Sequence, residues 1–113
     1  MDESRARALL RAERTEVEAL LREAQEAEKA DLVTDDDSPR DYGDAALPLT
    51  EEAEDEAVAE DLRERLAAID RALARLQAGT YGRSVLSGQP IPDERLEADP
   101  AAELTVEEAR AQR

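Results

Sequence analysis

Cysteine, histidine, tryptophan and phenylalanine are all absent from this 113-residue chain. Without Cys there is no disulfide and no thiolate metal site. Without His the commonest general base and the commonest metal ligand are lost together. Two Tyr are the only aromatics, so no wide core can be assembled from large rings. Long apolar runs are missing as well, which excludes a membrane-spanning helix. The opening Met1-Asp2-Glu3-Ser4 is acidic, unlike the basic start of a secretory leader. A cytoplasmic location is therefore expected. Positive charge is scarce: 15 Lys and Arg stand against 30 Asp and Glu, for a formal net charge of −15. Such a balance opposes direct contact with nucleic-acid phosphates or with anionic membranes. It suits a partner with a basic groove or with bound Mg²⁺, and it also serves plain solubility.

What remains is rich in Leu and Ala, which favour helix. From about Ser4 to Asp31 no Gly or Pro intervenes, and Leu10, Val17 and Ala24 recur every seven residues, broadened by Leu20, Leu21 and Ala27. A second stripe, Val58, Leu62, Leu66, Ile69, Leu73 and Leu76, advances by alternating steps of three and four. Thr50 reads as its N-cap, Glu51 and Glu52 as its acidic first turn, and Gly79 as its stop. Between the stripes, Asp35-Asp36-Asp37-Ser38-Pro39, Tyr42-Gly43 and Pro48 predict a long loop over about 32–49. Two stripes joined by one loop predict an antiparallel coiled-coil hairpin over 1–79. The same stripes would also serve a dimeric four-helix bundle; a monomer is the simpler expectation.

Residues 80–113 have another character. Tyr81-Gly82, Ser87-Gly88 and Pro90-Ile91-Pro92 are turn signals. Thr105-Val106-Glu107-Glu108 is a capping box that opens a short last helix. Val85, Leu86, Ile91, Leu96 and Leu104 are the apolar anchors of a small irregular module. Ser84 and Ser87 have no His and no Lys nearby in sequence to activate them, so a nucleophilic enzyme is not indicated. The whole is expected to be all-α: a long hairpin with a small C-terminal module.

The words Gly79-Thr80-Tyr81-Gly82, Gly88-Gln89-Pro90-Ile91-Pro92, Glu94-Arg95-Leu96-Glu97-Ala98 and Pro100 resemble the DksA/TraR family of bacterial transcription regulators. The resemblance covers nearly the whole chain from Ser4 onward. It implies a helical hairpin with a four-cysteine zinc finger at its base. The finger spacing, Cys-x2-Cys-x17-Cys-x2-Cys, falls here on Ser84, Ser87, Thr105 and Glu108. The spacing is kept and every cysteine is replaced. Hydroxyls and one carboxylate cannot stand in for four thiolates, so no metal and no other cofactor is expected, and the capping box takes over the anchoring of the last helix.

The resemblance also reaches the loop. The DksA pattern Asp-x-x-Asp-x-Ala matches Asp41-Tyr42-Gly43-Asp44-Ala45-Ala46 at the offset expected from the finger, through Asp41, Asp44 and Ala46. It implies that the hairpin enters the secondary channel of RNA polymerase, core or holoenzyme, and that the tip modulates initiation without specific DNA contact. The free-standing reading of Asp35, Asp36, Asp37, Asp41 and Asp44 is a solvated acidic loop, since no calcium-loop spacing is present. Alarmone-responsive members carry basic residues where this chain has Ala68, Asp99 and Ala109, so ppGpp binding is not expected. The competing expectation is a coiled-coil interaction module with a different protein partner.

Overall fold

The computed structural model describes residues 1–37 and 46–112. Four helices follow in order: α1 (Glu3–Asp37), α2 (Ala46–Ala78), α3 (Asp93–Ala98) and α4 (Val106–Ala111). Among the described residues there is no strand, only an isolated antiparallel bridge between Arg83 and Pro90. The long helices α1 and α2 pair antiparallel, so the chain is the all-α hairpin with a small C-terminal module that its two apolar stripes predict.

The helices are longer than the stripes. α1 continues to Asp37, past the expected end at Asp31, and α2 begins at Ala46 and not at Thr50. Both therefore extend into the stretch read as loop. Nothing between Leu32 and Asp37 breaks a helix, since there is no Gly or Pro. Pro48 sits in the first turn of α2, where its missing N–H has no intrahelical acceptor to lose. Thr50 is thus an interior residue. The other end of α2 is as expected. Gly79 takes φ +79°, a left-handed conformation cheap only for glycine. Its N–H donates to the Leu76 carbonyl at 3.3 Å, and the Thr80 N–H donates to the Arg75 carbonyl at 2.9 Å. These two bonds form a Schellman stop.

The chain divides into two compact units, one of residues 1–15 and 67–113, the other of residues 16–66. In the first, Ala6 and Leu10 of α1 and Ile69, Ala72 and Leu76 of α2 are buried. Small Ala residues let the backbones approach while Leu and Ile fill the space, and each fully buried aliphatic side chain stabilises by about 1.5–3 kcal/mol. Arg14 Nε donates to Asp70 Oδ1 at 2.7 Å and links the two helices at the solvent edge.

The module in this unit has its own small core of Ile91, Leu96 and Ala102, with Met1 and Tyr81 packed against it. Tyr81 is placed by its hydroxyl, which donates to the Pro100 carbonyl at 2.8 Å. Burial pushes the phenol pKa above its ordinary value. Ile91 and Leu96 are anchors as expected, whereas Val85 and Leu86 are 52% and 61% exposed and anchor nothing. They occupy a turn that points them outward.

α3 has no counterpart in the sequence reading. Pro92 precedes it, and Asp93 and Glu94 supply acids to its first turn. That pairing is a helix-start signal. α4 begins as the capping box predicts.

In the second unit, Val17 of α1 and Ala59 of α2 are buried. Leu20 and Val58, both members of the sequence stripes, are 45% and 52% exposed. Ala59, one residue on from Val58, holds the seam position.

Candidate functional site

Two candidate sites come from the sequence, the hairpin tip and the four finger positions. Asp41 and Asp44 lie outside the described residues. Ala46 is the first residue of α2. The four finger positions are described, and they form one hydrogen-bonded cluster.

The cluster is built from two local turns. The first is a knuckle over residues 84–89. The Ser84 hydroxyl accepts the backbone N–H of Leu86 at 3.1 Å and of Ser87 at 3.2 Å. Its own backbone N–H donates to the Gln89 carbonyl at 2.8 Å, and its carbonyl accepts the Gly88 N–H at 3.0 Å. The Ser87 hydroxyl accepts the Gln89 N–H at 3.3 Å. A short hydroxyl that gathers backbone N–H groups is well suited to hold a tight turn. Because the turn closes on Ser84, Val85 and Leu86 are thrown to its outside.

The second turn is the start of α4. The Thr105 hydroxyl accepts the Glu108 N–H at 3.2 Å, and the Thr105 N–H donates to Glu108 Oε1 at 2.9 Å. Both halves of the capping box are therefore made. The two turns meet at the Glu108 carboxylate. Hydrogen bonds from the Ser84 hydroxyl, the Thr105 backbone N–H and the Ser87 hydroxyl lower its pKa from 4.5 to about 2. Ser84 and Thr105 are 5% and 6% exposed, so their polar groups depend on these partners.

Such a cluster does not fit zinc. A tetrahedral structural site needs thiolates or imidazoles. Here the hydroxyls are engaged as acceptors of backbone N–H groups, and the one anion is saturated by donors. Among the described residues no three His, Cys, Asp or Glu side chains gather at ligand spacing.

Glu108 gives the cluster a pH dependence with a definite sign. In the unfolded chain the carboxyl takes up a proton near its ordinary value of 4.5, and in the folded chain only near about 2. Its contribution to stability is complete above that upper value and is lost as the pH falls through the interval. The measurement is a difference, so that other pH-dependent contributions cancel. The gap in thermal midpoint between wild type and Glu108→Gln is expected to be widest above pH ~5 and to close toward pH ~2. Excess EDTA should leave the wild-type melt unchanged. A gap that stays constant over that range would mean the carboxylate is not held by these donors.

Several further residues tie the module down. Arg71 Nη2 donates to Glu103 Oε1 at 2.7 Å, and Arg75 Nη1 lies 3.9 Å from Glu103 Oε2. Arg95 Nε donates to the Leu104 carbonyl at 2.8 Å, and the Val85 N–H donates to the Glu103 carbonyl at 2.9 Å. Arg5 grips Glu97 through two bonds of 2.7 and 2.9 Å, and the Arg5 hydrogen bond holds the Glu97 carboxyl below the usual range. The amino group of Met1 pairs with Asp93. Single charges scattered along a helix give no sequence signal for such long-range pairs. At the expected alarmone positions, Ala68 is in α2, Asp99 caps the C-terminus of α3 and Ala109 is in α4.

No family model matches the chain. Over 90 residues, 80% of this chain and 63% of the other, it is 34% identical to the RNA polymerase-binding transcription factor DksA of Caulobacter vibrioides. Over 59 residues, 52% of this chain and 36% of the other, it is 48% identical to general stress protein 16O of Bacillus subtilis (strain 168). The chain thus spans between about a third and two thirds of the length of these curated relatives. A solved structure of transcription factor DksA2 from Pseudomonas aeruginosa superposes with a TM-score of 0.80 at 28% identity, covering 97% of this chain and 81% of that one. Identity sustained over most of the sequence, with one hairpin-and-module fold shared over nearly all of it, makes this chain a DksA-like member of the DksA/TraR family.

Proposed function

We propose that this chain is a transcription regulator that binds RNA polymerase through its secondary channel and modulates initiation with an acidic hairpin tip. It acts by binding and catalyses nothing. The observation that carries the reading is the partition of charge. Residues 16–66 hold nineteen Asp and Glu against five Lys and Arg, a net of −14 out of the chain's −15. The other unit, with eleven acids against ten bases, is nearly neutral. A surface meant only to be soluble would spread its charge. Concentrating it on residues 16–66 suits insertion of that unit into a basic passage that holds Mg²⁺, and it steers the approach of that unit. The relative from Caulobacter is named for polymerase binding, and the same activity is assigned here.

In this reading Asp41, Asp44 and Ala46 carry the effect, and the module adds affinity. Ser84, Ser87, Thr105 and Glu108 replace the metal of the family's finger with hydrogen bonds. DNA sequence is not read, because a net charge of −15 opposes phosphate contact. Ala68, Asp99 and Ala109 offer no cation to ppGpp. The regulator works as a monomer in the cytoplasm. Among the described residues no helix is long and apolar enough to cross a membrane.

Replacement of all four finger ligands favours a second reading, a coiled-coil module that has moved to another protein partner. Tagged full-length chain titrated against core polymerase from the same source separates the two. Binding at micromolar or lower concentration, weakening steeply with salt, is the expected result. No binding at that concentration would leave the second reading in place.

A further inference from the structure

The hairpin carries an apolar notch on the flank of residues 16–66. Its lining is Leu20, Glu23 and Ala24 from α1 with Asp55, Val58 and Leu62 from α2, and its volume is about 350 Å³. The notch follows from the seam. Val17 and Ala59 are buried and close the contact between the helices. Leu20 and Val58 fall beside that contact and stay 45% and 52% exposed. Ala24, with a single methyl, leaves the floor between them low. The result is a depression with aliphatic walls and with Glu23 and Asp55 among its lining residues.

Three kinds of occupant differ in how they meet these features. A small molecule needs enclosure, and the notch is open along one side. A second copy would bring its own −14 against this one, and like charges oppose that approach. A basic protein segment satisfies both halves of the lining: its apolar side chain fills the aliphatic floor while Lys or Arg beside it meets Glu23 and the net negative charge of residues 16–66.

We infer that the notch is a docking socket for one large apolar side chain, Leu, Met or aromatic, presented between basic residues on a surface of RNA polymerase. The inference rests on the polymerase reading above and adds a contact on the flank of the hairpin, away in sequence from the tip. An apolar anchor seated in a pocket and ringed by charge is the arrangement that concentrates binding energy in few residues.

The test fills the socket instead of breaking it. Ala24→Leu raises the floor with a strong helix former, and Val58→Ser strips one wall at an exposed position. Both are expected to melt within a few degrees of wild type and to bind core polymerase about tenfold or more weakly. Glu23→Lys is expected to weaken binding and flatten its salt dependence. Wild-type binding with all three variants unchanged would overturn the socket and leave the polymerase reading intact. Absence of wild-type binding would overturn both. A wild-type dimer that Ala24→Leu separates would give the notch to a second copy and overturn the inference.

Discussion

Ile69→Asn is expected to remove about 3–5 kcal/mol of stability, and Val58→Asn less than about 1 kcal/mol, although both residues belong to one apolar stripe. Ile69 is 0% exposed and Val58 is 52% exposed. At position 69 the substitution deletes a fully buried aliphatic group and inserts an amide. Retaining that amide in the seam leaves donors and acceptors unsatisfied, which adds to the lost burial. At position 58 the amide faces water. Urea unfolding followed by circular dichroism measures both, and equal slopes would show that the comparison is one of stability alone. Equal costs at the two positions would mean that the α2 face runs through Val58 and not through Ala59.

Asp41→Asn with Asp44→Asn is expected to bind core polymerase within several-fold of wild type while losing most of the effect on open-complex lifetime. Asparagine keeps the size and polarity of aspartate and removes only the charge. A carboxylate brought close to basic groups and Mg²⁺, and shielded from water, interacts far more strongly than one in solvent. The tip acids would thus govern the catalytic centre, with affinity supplied by the remaining contacts. Asp35→Asn, Asp36→Asn and Asp37→Asn make the control, since they change net charge to a similar extent and leave the matched pattern whole. If the two sets act alike, the tip works as bulk negative charge and Asp41 and Asp44 have no special part.

The hairpin was legible because its signals are periodic and local. Leu10 and Val17 repeat at seven and are buried, and Gly79 stops α2 with the bonds its type predicts. Thr105 and Glu108 announced their capping box in four residues of sequence, and it is made in full. Legibility fell where a residue's position depends on partners distant in the chain. Val58 and Ala59 are both apolar and adjacent, so a stripe drawn by hydrophobicity takes the larger one. Helix–helix approach selects the smaller, which alone lets the backbones come close. Val85 and Leu86 failed as anchors for a related reason. Hydropathy asks for burial, but the Ser84 hydroxyl captures the N–H groups of Leu86 and Ser87 and fixes the turn first. Ser84, Ser87, Thr105 and Glu108 stand out by their spacing alone, and nothing in that spacing indicates that the two serines converge on the Glu108 carboxylate. Hydroxyl orientation belongs to three dimensions and has no periodicity to read.

The pairs Met1–Asp93 and Arg5–Glu97 each join groups 92 positions apart. Helical turns form from contacts four residues distant and need nothing downstream. A contact that must close a loop of that length bears a far larger entropy cost, unless intervening structure shortens the loop first. Pairing of α1 with α2 does so, because it returns the chain to the start of α1 and leaves only the segment beyond Gly79 to be closed. The expected order of folding is therefore hairpin first and module last. On the ribosome, Arg5 is made 92 residues ahead of Glu97 and waits for it. The first turn of α1 thus precedes its partners in synthesis and is expected to be among the last parts to lock.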